Sequence, residues 1–193
     1  MSNAGTKIRL VIFDFGDTLF HAVADNRSRG SGRWEVLERD GAGRPTAVAP
    51  PDRPGMAEAT FENVQAVLHE LRRRGTWLGV ASSADPAYTP YMVEAFEMGA
   101  LFRHAFMAPG DINGNCSRKG DWVEAIIHAF NIAECQDVPL QANEVMFVDD
   151  LLRCLEAVRR KVPGIHAIMS TPRMPGGLDY IPEVIAEIEA GDR

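Results

Sequence analysis

Apolar runs alternate with segments of helical periodicity along most of the chain. Three runs are almost continuously apolar and predict buried strands: "KIRLVIFDF" (7–15), "TWLGVASS" (76–83) and "NEVMFVDD" (143–150). Continuous apolar runs are typical of parallel strands that are covered on both faces of a sheet. Two shorter runs, "RHAFMAP" (103–109) and "GIHAIMS" (164–170), predict further strands.

Five other segments have the periodicity of helices. In the first of them the apolar side chains fall on one helical stripe, and Gly75 follows the last turn. The predicted helices are 56–75, 86–99, 117–132, 151–161 and 179–191. Strands that alternate with helices imply right-handed βαβ crossovers and a parallel sheet. The sequence therefore predicts an α/β fold with a three-layer, Rossmann-like parallel sheet.

One stretch departs from this alternation. Residues 21–33, "HAVADNRSRGSGR", are polar and rich in glycine, which predicts an exposed loop. Two short β-prone runs at 33–38 and 44–50 flank "RDGAG", and an Asp-Gly pair between such runs predicts a hairpin. We therefore expect a small β-hairpin flap at 34–49.

Composition and charge limit the partners that the chain is expected to bind. Its 193 residues are 46% hydrophobic, and the formal net charge is −7. An acidic chain lacks the broad positive surface charge with which proteins bind nucleic acids and anionic membranes. No apolar run approaches the ~20 residues that a membrane span needs. Three cysteines without a close pair fit reduced thiols, so a cytoplasmic location is expected. Residues 1–6, beginning "MSNAG", are interpreted as an expression scar.

Polar residues stand at the carboxyl ends of three predicted strands. These residues are Asp14, the pair Ser82–Ser83 and the pair Asp149–Asp150. In an open parallel sheet, ligands bind outside this edge. Carboxylates that meet there repel each other by ~4 kcal/mol at 4 Å and an effective dielectric near 20, so the cluster needs a cation. Oxygen ligands without histidine or cysteine favour Mg²⁺, which in turn suggests a phosphorylated substrate.

Two further side chains are candidates for binding a phosphate. A serine hydroxyl and a backbone N–H directly after a strand can hold a phosphate oxygen, which describes Ser82. Lys119 lies near the start of a predicted helix, where a cation is unfavourable unless it faces an anion, and Arg118 is a rival for the same role. Neither Ser82 nor Lys119 alone is strong evidence for a phosphate site. Their order along the chain, between the strand-end aspartates, supports this interpretation.

That order resembles the haloacid dehalogenase superfamily, and within it the small magnesium-dependent phosphatases with little or no cap. "FDFGDTL" resembles the first motif, "VASSAD" the second, "SRKGDW" the third and "MFVDD" the fourth, and the resemblance covers the chain from Lys7 onward. It implies one domain at 7–193, with a flap insertion at about 21–54 and no large cap. It also implies a phosphorylated small molecule or a phosphoprotein as substrate.

The resemblance also implies a role for each matching residue. Asp14 would be the nucleophile that forms an aspartyl phosphate, and also a metal ligand. The carbonyl of Gly16 and the carboxylate of Asp150 would be further ligands of Mg²⁺. Asp149 belongs to the same metal site, through water or, as the alternative, as the direct ligand in place of Asp150. Ser82, Ser83 and Lys119 would bind the transferring phosphoryl group.

The first motif departs from the family pattern at one position. Phosphatases of this superfamily usually carry an acid/base aspartate two residues after the nucleophile, where this chain has Gly16, and its aspartate follows one residue later as Asp17. Asp17 is therefore a displaced acid/base candidate or a turn residue, and His21 is a second candidate for the acid. Three classes stay open: a magnesium-dependent phosphatase, a dehalogenase- or phosphonatase-like hydrolase, and a phosphate-binding protein with little turnover.

Overall fold

Nine strands and five helices make up the fold in a computed structural model that describes residues 6–84, 87–108, 116–135 and 137–191. The strands are β1 (Leu10–Phe13), β2 (Phe20–Ala24), β3 (Glu35–Arg39), β4 (Pro45–Ala49), β5 (Met56–Thr60), β6 (Trp77–Val80), β7 (Phe102–Met107), β8 (Val145–Asp149) and β9 (His166–Met169). The helices are α1 (Val64–Arg73), α2 (Tyr88–Ala95), α3 (Lys119–Glu134), α4 (Leu152–Lys161) and α5 (Ile181–Ala190), and 3-10 turns lie at Cys116–Arg118 and Ala142–Glu144.

The central sheet has five parallel strands in the order β7-β6-β1-β8-β9. Strand β1 lies in the middle, and its last residue, Phe13, pairs with Val80 of β6 and with Val148 of β8. The first, second and fourth motifs therefore follow three neighbouring strands at one edge of the sheet. The α/β fold with a parallel sheet is confirmed.

Helices cover both faces of this sheet. Along β1, Leu10 and Ile12 belong to the apolar cluster under α3 and α4, whereas Val11 and Phe13 belong to the cluster under α1, α2 and α5. All four side chains are fully buried, because successive residues of a strand point to opposite faces and both faces are covered. This packing gives the three predicted layers.

A second, antiparallel sheet of four strands, in the order β2-β5-β4-β3, forms the flap. The predicted hairpin is confirmed, since β3 pairs with β4 across residues 40–44. The flap sheet runs from Phe20 to Thr60, whereas the predicted insertion covers about 21–54. It is thus larger than the single hairpin that the turn signal indicates.

Two local predictions in the flap region are wrong. Residues 21–24 of the predicted loop belong to strand β2, and residues 56–60 form strand β5 rather than the first turn of a helix. Both segments are rich in alanine, which favours helices, but they pair with each other from Phe20↔Thr60 to Ala24↔Met56. Helix α1 begins only at Val64. Non-local pairing decides the structure of both segments, and local propensity does not reveal it.

None of the helices that the structure describes has the length and apolar character needed to cross a membrane. The predicted expression scar lies outside the described residues, apart from residue 6.

Candidate active site

Asp14 lies at the centre of the carboxyl edge of the sheet. It follows β1 directly, and its backbone N–H donates to the carbonyl of Val148 at 2.8 Å. The chain leaves the sheet at this point, so the carboxylate reaches the edge while the residue stays 7% exposed. A carboxylate that is so buried needs a positively charged partner.

Lys119 is that partner. Its ammonium donates to Asp14 Oδ1 at 2.5 Å and to Asp149 Oδ2 at 3.0 Å, and the side chain is 1% exposed. The structure thus decides between the two cations of the third motif, because the Arg118 guanidinium lies 5.9 Å from the centre of the Trp122 ring instead. Lysine binds as a compact point charge, which suits a site shared by two carboxylates.

Gly120 explains how the lysine reaches this depth. A Cβ at Gly120 would lie 2.6 Å from Cβ of Lys161 and 2.9 Å from the carbonyl oxygen of Ala157, both on α4. Only glycine permits that approach of α3 to α4. Since α4 follows the fourth motif directly, the contact brings Lys119 against Asp149.

The two aspartates of the fourth motif differ in their surroundings. Asp149 is fully buried, and both its oxygens are engaged, Oδ2 by Lys119 and Oδ1 by the N–H of Leu151 at 2.8 Å. Asp150 is half-buried and accepts no hydrogen bond from the other described side chains. Asp150 is therefore the carboxylate that no described side chain holds, although its own backbone N–H acts on it.

Three carboxylates and one lysine make the site strongly negative. Oxygens of Asp14, Asp149 and Asp150 lie within 4.8 Å of one another. Burial raises the pKa of Asp14 to about 6, although Lys119 acts to lower it. Burial likewise raises the pKa of Asp149 and of Asp150. This all-oxygen, negatively charged set fits a hard divalent cation such as Mg²⁺.

The second motif lies beside this cluster on the neighbouring strand. Ser82 follows β6, is 2% exposed, and its hydroxyl accepts the N–H of Ala84 at 3.1 Å. Ser83 is half-buried next to it. Because β6 pairs with β1 up to Val80↔Phe13, the serines and Asp14 share one edge. This placement agrees with the phosphate-binding role that the resemblance implies for the serines.

In the turn after Asp14, the neighbouring residues Gly16 and Asp17 differ in backbone conformation and in the contacts of their polar groups. Gly16 is exposed, and its carbonyl accepts none of the backbone hydrogen bonds within the described turn, which leaves this oxygen available as a ligand. Asp17 has a left-handed backbone (φ 56°), and its Oδ1 accepts a hydrogen bond from Arg173 at 2.6 Å. The side chain of Asp17 is thus held by an arginine from the loop after β9 and does not cap the turn.

Sequence reasoning missed four polar residues around this edge. Arg173 binds Asp17, and three others form a hydrogen-bonded cluster between the flap and α2: Arg53, Glu58 and Tyr88. No motif marks them, because they lie on the flap, on α2 and on a loop and meet only in the folded chain. Their spacing carries no local periodicity, so no sequence signal could have found them.

No protein-family model and no curated protein matches this sequence. Solved structures do match the fold. One is a haloacid dehalogenase superfamily hydrolase from Ehrlichia chaffeensis, with a TM-score of 0.59 and 12% identity over 95% of this chain and 97% of that one. A predicted phosphatase from Clostridium acetobutylicum has a TM-score of 0.50 and 16% identity over 68% of this chain and 60% of that one.

A third similar structure is the N-terminal part of a Bacteroides fragilis protein containing a phosphatase domain, solved in complex with Mg. Its TM-score is 0.51 at 17% identity, over 95% of this chain and 40% of that one. The chain thus spans about 60% or less of the clostridial and Bacteroides chains. These similarities confirm the predicted α/β fold, which the chain shares with the Ehrlichia hydrolase over 95% of its length.

Proposed function

We propose that the protein is a magnesium-dependent phosphatase that hydrolyses a phosphomonoester through an aspartyl phosphate on Asp14. The observation that supports this most strongly is Lys119, almost completely buried between the carboxylates of Asp14 and Asp149 at the carboxyl edge of the sheet. A salt bridge that only served stability would have no need of a third carboxylate, Asp150, close to the same point. The fold similarity and the serine at the neighbouring strand end agree with this function.

Asp14 would act as the nucleophile in the first of two steps. One carboxylate oxygen of Asp14 forms a bond to phosphorus, and the bond between phosphorus and the ester oxygen breaks, so that the alkoxide leaves with that electron pair and takes a proton from water to become the alcohol. Water then attacks the aspartyl phosphate and releases inorganic phosphate and the free carboxylate. Covalent catalysis of this kind divides one difficult displacement into two easier ones.

The remaining residues would bind and neutralise the phosphoryl group. The Lys119 ammonium donates hydrogen bonds to Asp14 and Asp149, and it would donate one to a phosphoryl oxygen when substrate is bound. Ser82 offers a hydroxyl at the same edge of the sheet. Asp14, the Gly16 carbonyl and Asp150 would hold Mg²⁺, with Asp149 fixed beside them by Lys119. When bound, Mg²⁺ supplies positive charge that stabilises the phosphoryl oxygens in the transition state.

Hydrolysis of p-nitrophenyl phosphate should require Mg²⁺, and Asp150→Asn should weaken Mg²⁺ binding far more than Asp149→Asn. No described side chain holds the Asp150 carboxylate, whereas both oxygens of Asp149 are engaged, by Lys119 and by the N–H of Leu151. We expect Asp150→Asn to raise the Mg²⁺ concentration for half-maximal activity at least 10-fold. Titration of activity and calorimetry of Mg²⁺ binding measure this effect.

Other outcomes of this titration would point to the other classes. Turnover that persists in EDTA would favour a metal-independent, dehalogenase-like hydrolase. Binding of phosphate without turnover, with or without Mg²⁺, would indicate a phosphate-binding protein. A larger effect of Asp149→Asn on Mg²⁺ affinity would transfer the ligand role to Asp149.

Gly16→Asp should increase the hydrolysis of alkyl phosphates. The φ of Gly16 lies outside the left-handed range, and a Cβ added there meets no atom within 4 Å, so the backbone and the space both accept aspartate. General acid catalysis typically contributes ~10²–10⁴-fold. An alkoxide leaving group needs that proton and p-nitrophenolate hardly does, so the gain should be larger for the alkyl ester. Parallel measurement of kcat for both esters tests this expectation.

Asp17→Asn is the matched control for Gly16→Asp. Its carboxylate is held by Arg173, and we expect the variant to change the ratio of alkyl to aryl phosphate hydrolysis little. A selective loss of alkyl phosphate hydrolysis in Asp17→Asn would identify Asp17 as the acid, and Gly16 would then not occupy the position of the missing acid.

A further inference from the structure

A cavity of about 300 Å³ opens directly beside the turn that follows Asp14. Gly16, two residues after Asp14, and Ala84, two residues after Ser82, both line it. The cavity therefore begins where the first and second motifs leave the sheet and extends under the flap. A phosphoryl group held at Asp14 would have the rest of its substrate in this space.

One wall of the cavity is a hydrogen-bonded polar cluster. Glu58, on flap strand β5, is 8% exposed, and its Oε1 accepts a hydrogen bond from the hydroxyl of Tyr88 at 2.5 Å. Arg53 donates to the same hydroxyl at 2.8 Å and lies 3.5 Å from the same Oε1. All three residues line the cavity. These contacts join the three side chains to one another, although the Arg53 side chain is 43% exposed.

The second oxygen of Glu58 is available to a ligand. Within the part of the chain that the structure describes, both contacts of this carboxylate end on Oε1, and Oε2 accepts no hydrogen bond. Oε2 is not one of the fully buried polar atoms that lack a partner, so it keeps access to solvent and can exchange water for a ligand hydroxyl. Since Arg53 already places a positive charge beside Glu58, a neutral donor such as a hydroxyl fits better than an ammonium group.

Apolar and aromatic side chains line other parts of the cavity. Phe15, Phe20 and Met92 are each 2% exposed or less and contribute to its walls. A ligand that fits would therefore present hydroxyls to Glu58 and C–H groups to the aromatic rings. A cavity of this size lies at the lower limit of small-molecule sites, ~300–1,000 Å³, which favours a compact alcohol over a segment of protein.

We propose that this cavity binds the alcohol part of the substrate and that Glu58 selects a compact polyhydroxylated alcohol by accepting a hydrogen bond from one of its hydroxyls. The inference rests on the proposed phosphatase function and specifies its substrate class. Tyr88 and Arg53 are positioning residues, since they hold the Glu58 carboxylate through Oε1.

Two esters that differ only in their hydroxyls test the proposal: glycerol 1-phosphate and n-propyl phosphate. A hydrogen bond to a charged group corresponds to roughly 10- to 100-fold in affinity. We expect kcat/KM to favour glycerol 1-phosphate by about 10-fold or more in the wild-type protein. Glu58→Met, which keeps the length of the side chain and removes both acceptors, should bring this ratio close to 1.

Glu35→Met is the matched control, because Glu35 lies on the outermost flap strand, β3, and does not line the cavity. It should leave the ratio of the two esters unchanged. Thermal unfolding of both variants checks that each is folded. If Glu58→Met does not fold, Tyr88→Phe, which releases Glu58 from one of its two contacts, should lower the ratio at least threefold.

Calorimetry on Asp14→Asn separates this proposal from the phosphatase function, because it needs no turnover. Tighter binding of glycerol 1-phosphate than of n-propyl phosphate, lost in the Asp14→Asn/Glu58→Met double variant, would support the cavity even if the wild-type protein hydrolysed neither ester. Equal hydrolysis of both esters by the wild-type protein, or equal binding of both by Asp14→Asn, would overturn the role of Glu58 while leaving the phosphatase function intact.

Discussion

Asp14→Asn should reduce phosphatase turnover to background, below about one-thousandth of the wild-type rate, without unfolding the protein. Asparagine keeps the shape of the side chain but cannot attack phosphorus, so the covalent route is closed. It also removes one negative charge from the Mg²⁺ site. Single-turnover kinetics with p-nitrophenyl phosphate, with saturating Mg²⁺, measures the effect directly.

The same substitution has an informative effect on stability. Burial raises the pKa of Asp14 to about 6, so the folded protein binds this proton more tightly than the unfolded chain does, for which the ordinary value is 3.8. Stability therefore falls as the pH rises from about 4 to 6, and the ionised carboxylate costs roughly 3 kcal/mol above that range in the absence of metal. In EDTA at pH 8, Asp14→Asn should have a Tm no lower than that of the wild-type protein.

These two measurements distinguish a chemical role from a structural one. Inactivity combined with an unchanged or higher Tm fits a nucleophile held at a cost to the fold. Inactivity with a much lower Tm would mean that Asp14 chiefly supports the structure. Activity above a few per cent of wild type would exclude an aspartyl phosphate on Asp14.

Lys119→Met should destabilise the metal-free protein and also slow catalysis about 100-fold or more. Lys119 is the only lysine or arginine described within salt-bridge distance of Asp14 and Asp149, and its removal leaves two buried carboxylates without a counter-charge. Breaking one partner out of a buried ion pair costs about 3–5 kcal/mol, and ~1 kcal/mol lowers Tm by about 2–4 °C in a protein of this size. Thermal unfolding in EDTA should therefore show a Tm lower by about 6–20 °C at pH 8.

The pH dependence of this loss follows from the carboxylates. Below about pH 5 the Asp14 carboxyl, whose pKa burial raises to about 6, is largely protonated and needs no counter-charge. The Tm difference between Lys119→Met and wild type should therefore shrink at pH 5 and grow at pH 8. Mg²⁺ should recover part of the Tm but not the rate.

Lys161→Met is the control for Lys119→Met. Lys161 lies on α4, pairs with Asp121 and Glu124, and is 41% exposed, so its ion pairs contribute little. Methionine keeps the methylene stem that packs against Gly120. An equal loss of Tm in both variants would show that the effect of Lys119 comes from helix packing and not from its charge.

The sequence predicts the sheet and its acidic edge because each of these features follows from a short, continuous stretch of residues. Apolar runs mark buried strands, and a carboxylate that ends such a run, like Asp14 or Asp149, must lie where the strand leaves the core. Parallel topology then brings those ends to one edge. Neither step needs knowledge of contacts between distant side chains.

The parts that the sequence does not predict depend on such contacts. The flap strands Phe20–Ala24 and Met56–Thr60 pair with each other across more than thirty positions, a pairing that no local pattern records. Lys119 binds Asp149 rather than Asp150, and this choice depends on where α3 lies. The position of α3 is set by its close contact with α4 at Gly120. The Glu58 cluster joins three segments, so no local pattern could reveal it.

The open turn at Gly16 also bears on how the protein could change over generations. The glycine codons GGT and GGC differ from the aspartate codons GAT and GAC by one base. Because the backbone of Gly16 and the space around it accept a side chain, no compensating change elsewhere is required. A lineage that encodes Gly16 with GGT or GGC therefore stands one point mutation away from an aspartate at this position, and under the proposed function selection for faster hydrolysis of alkyl esters would favour that change.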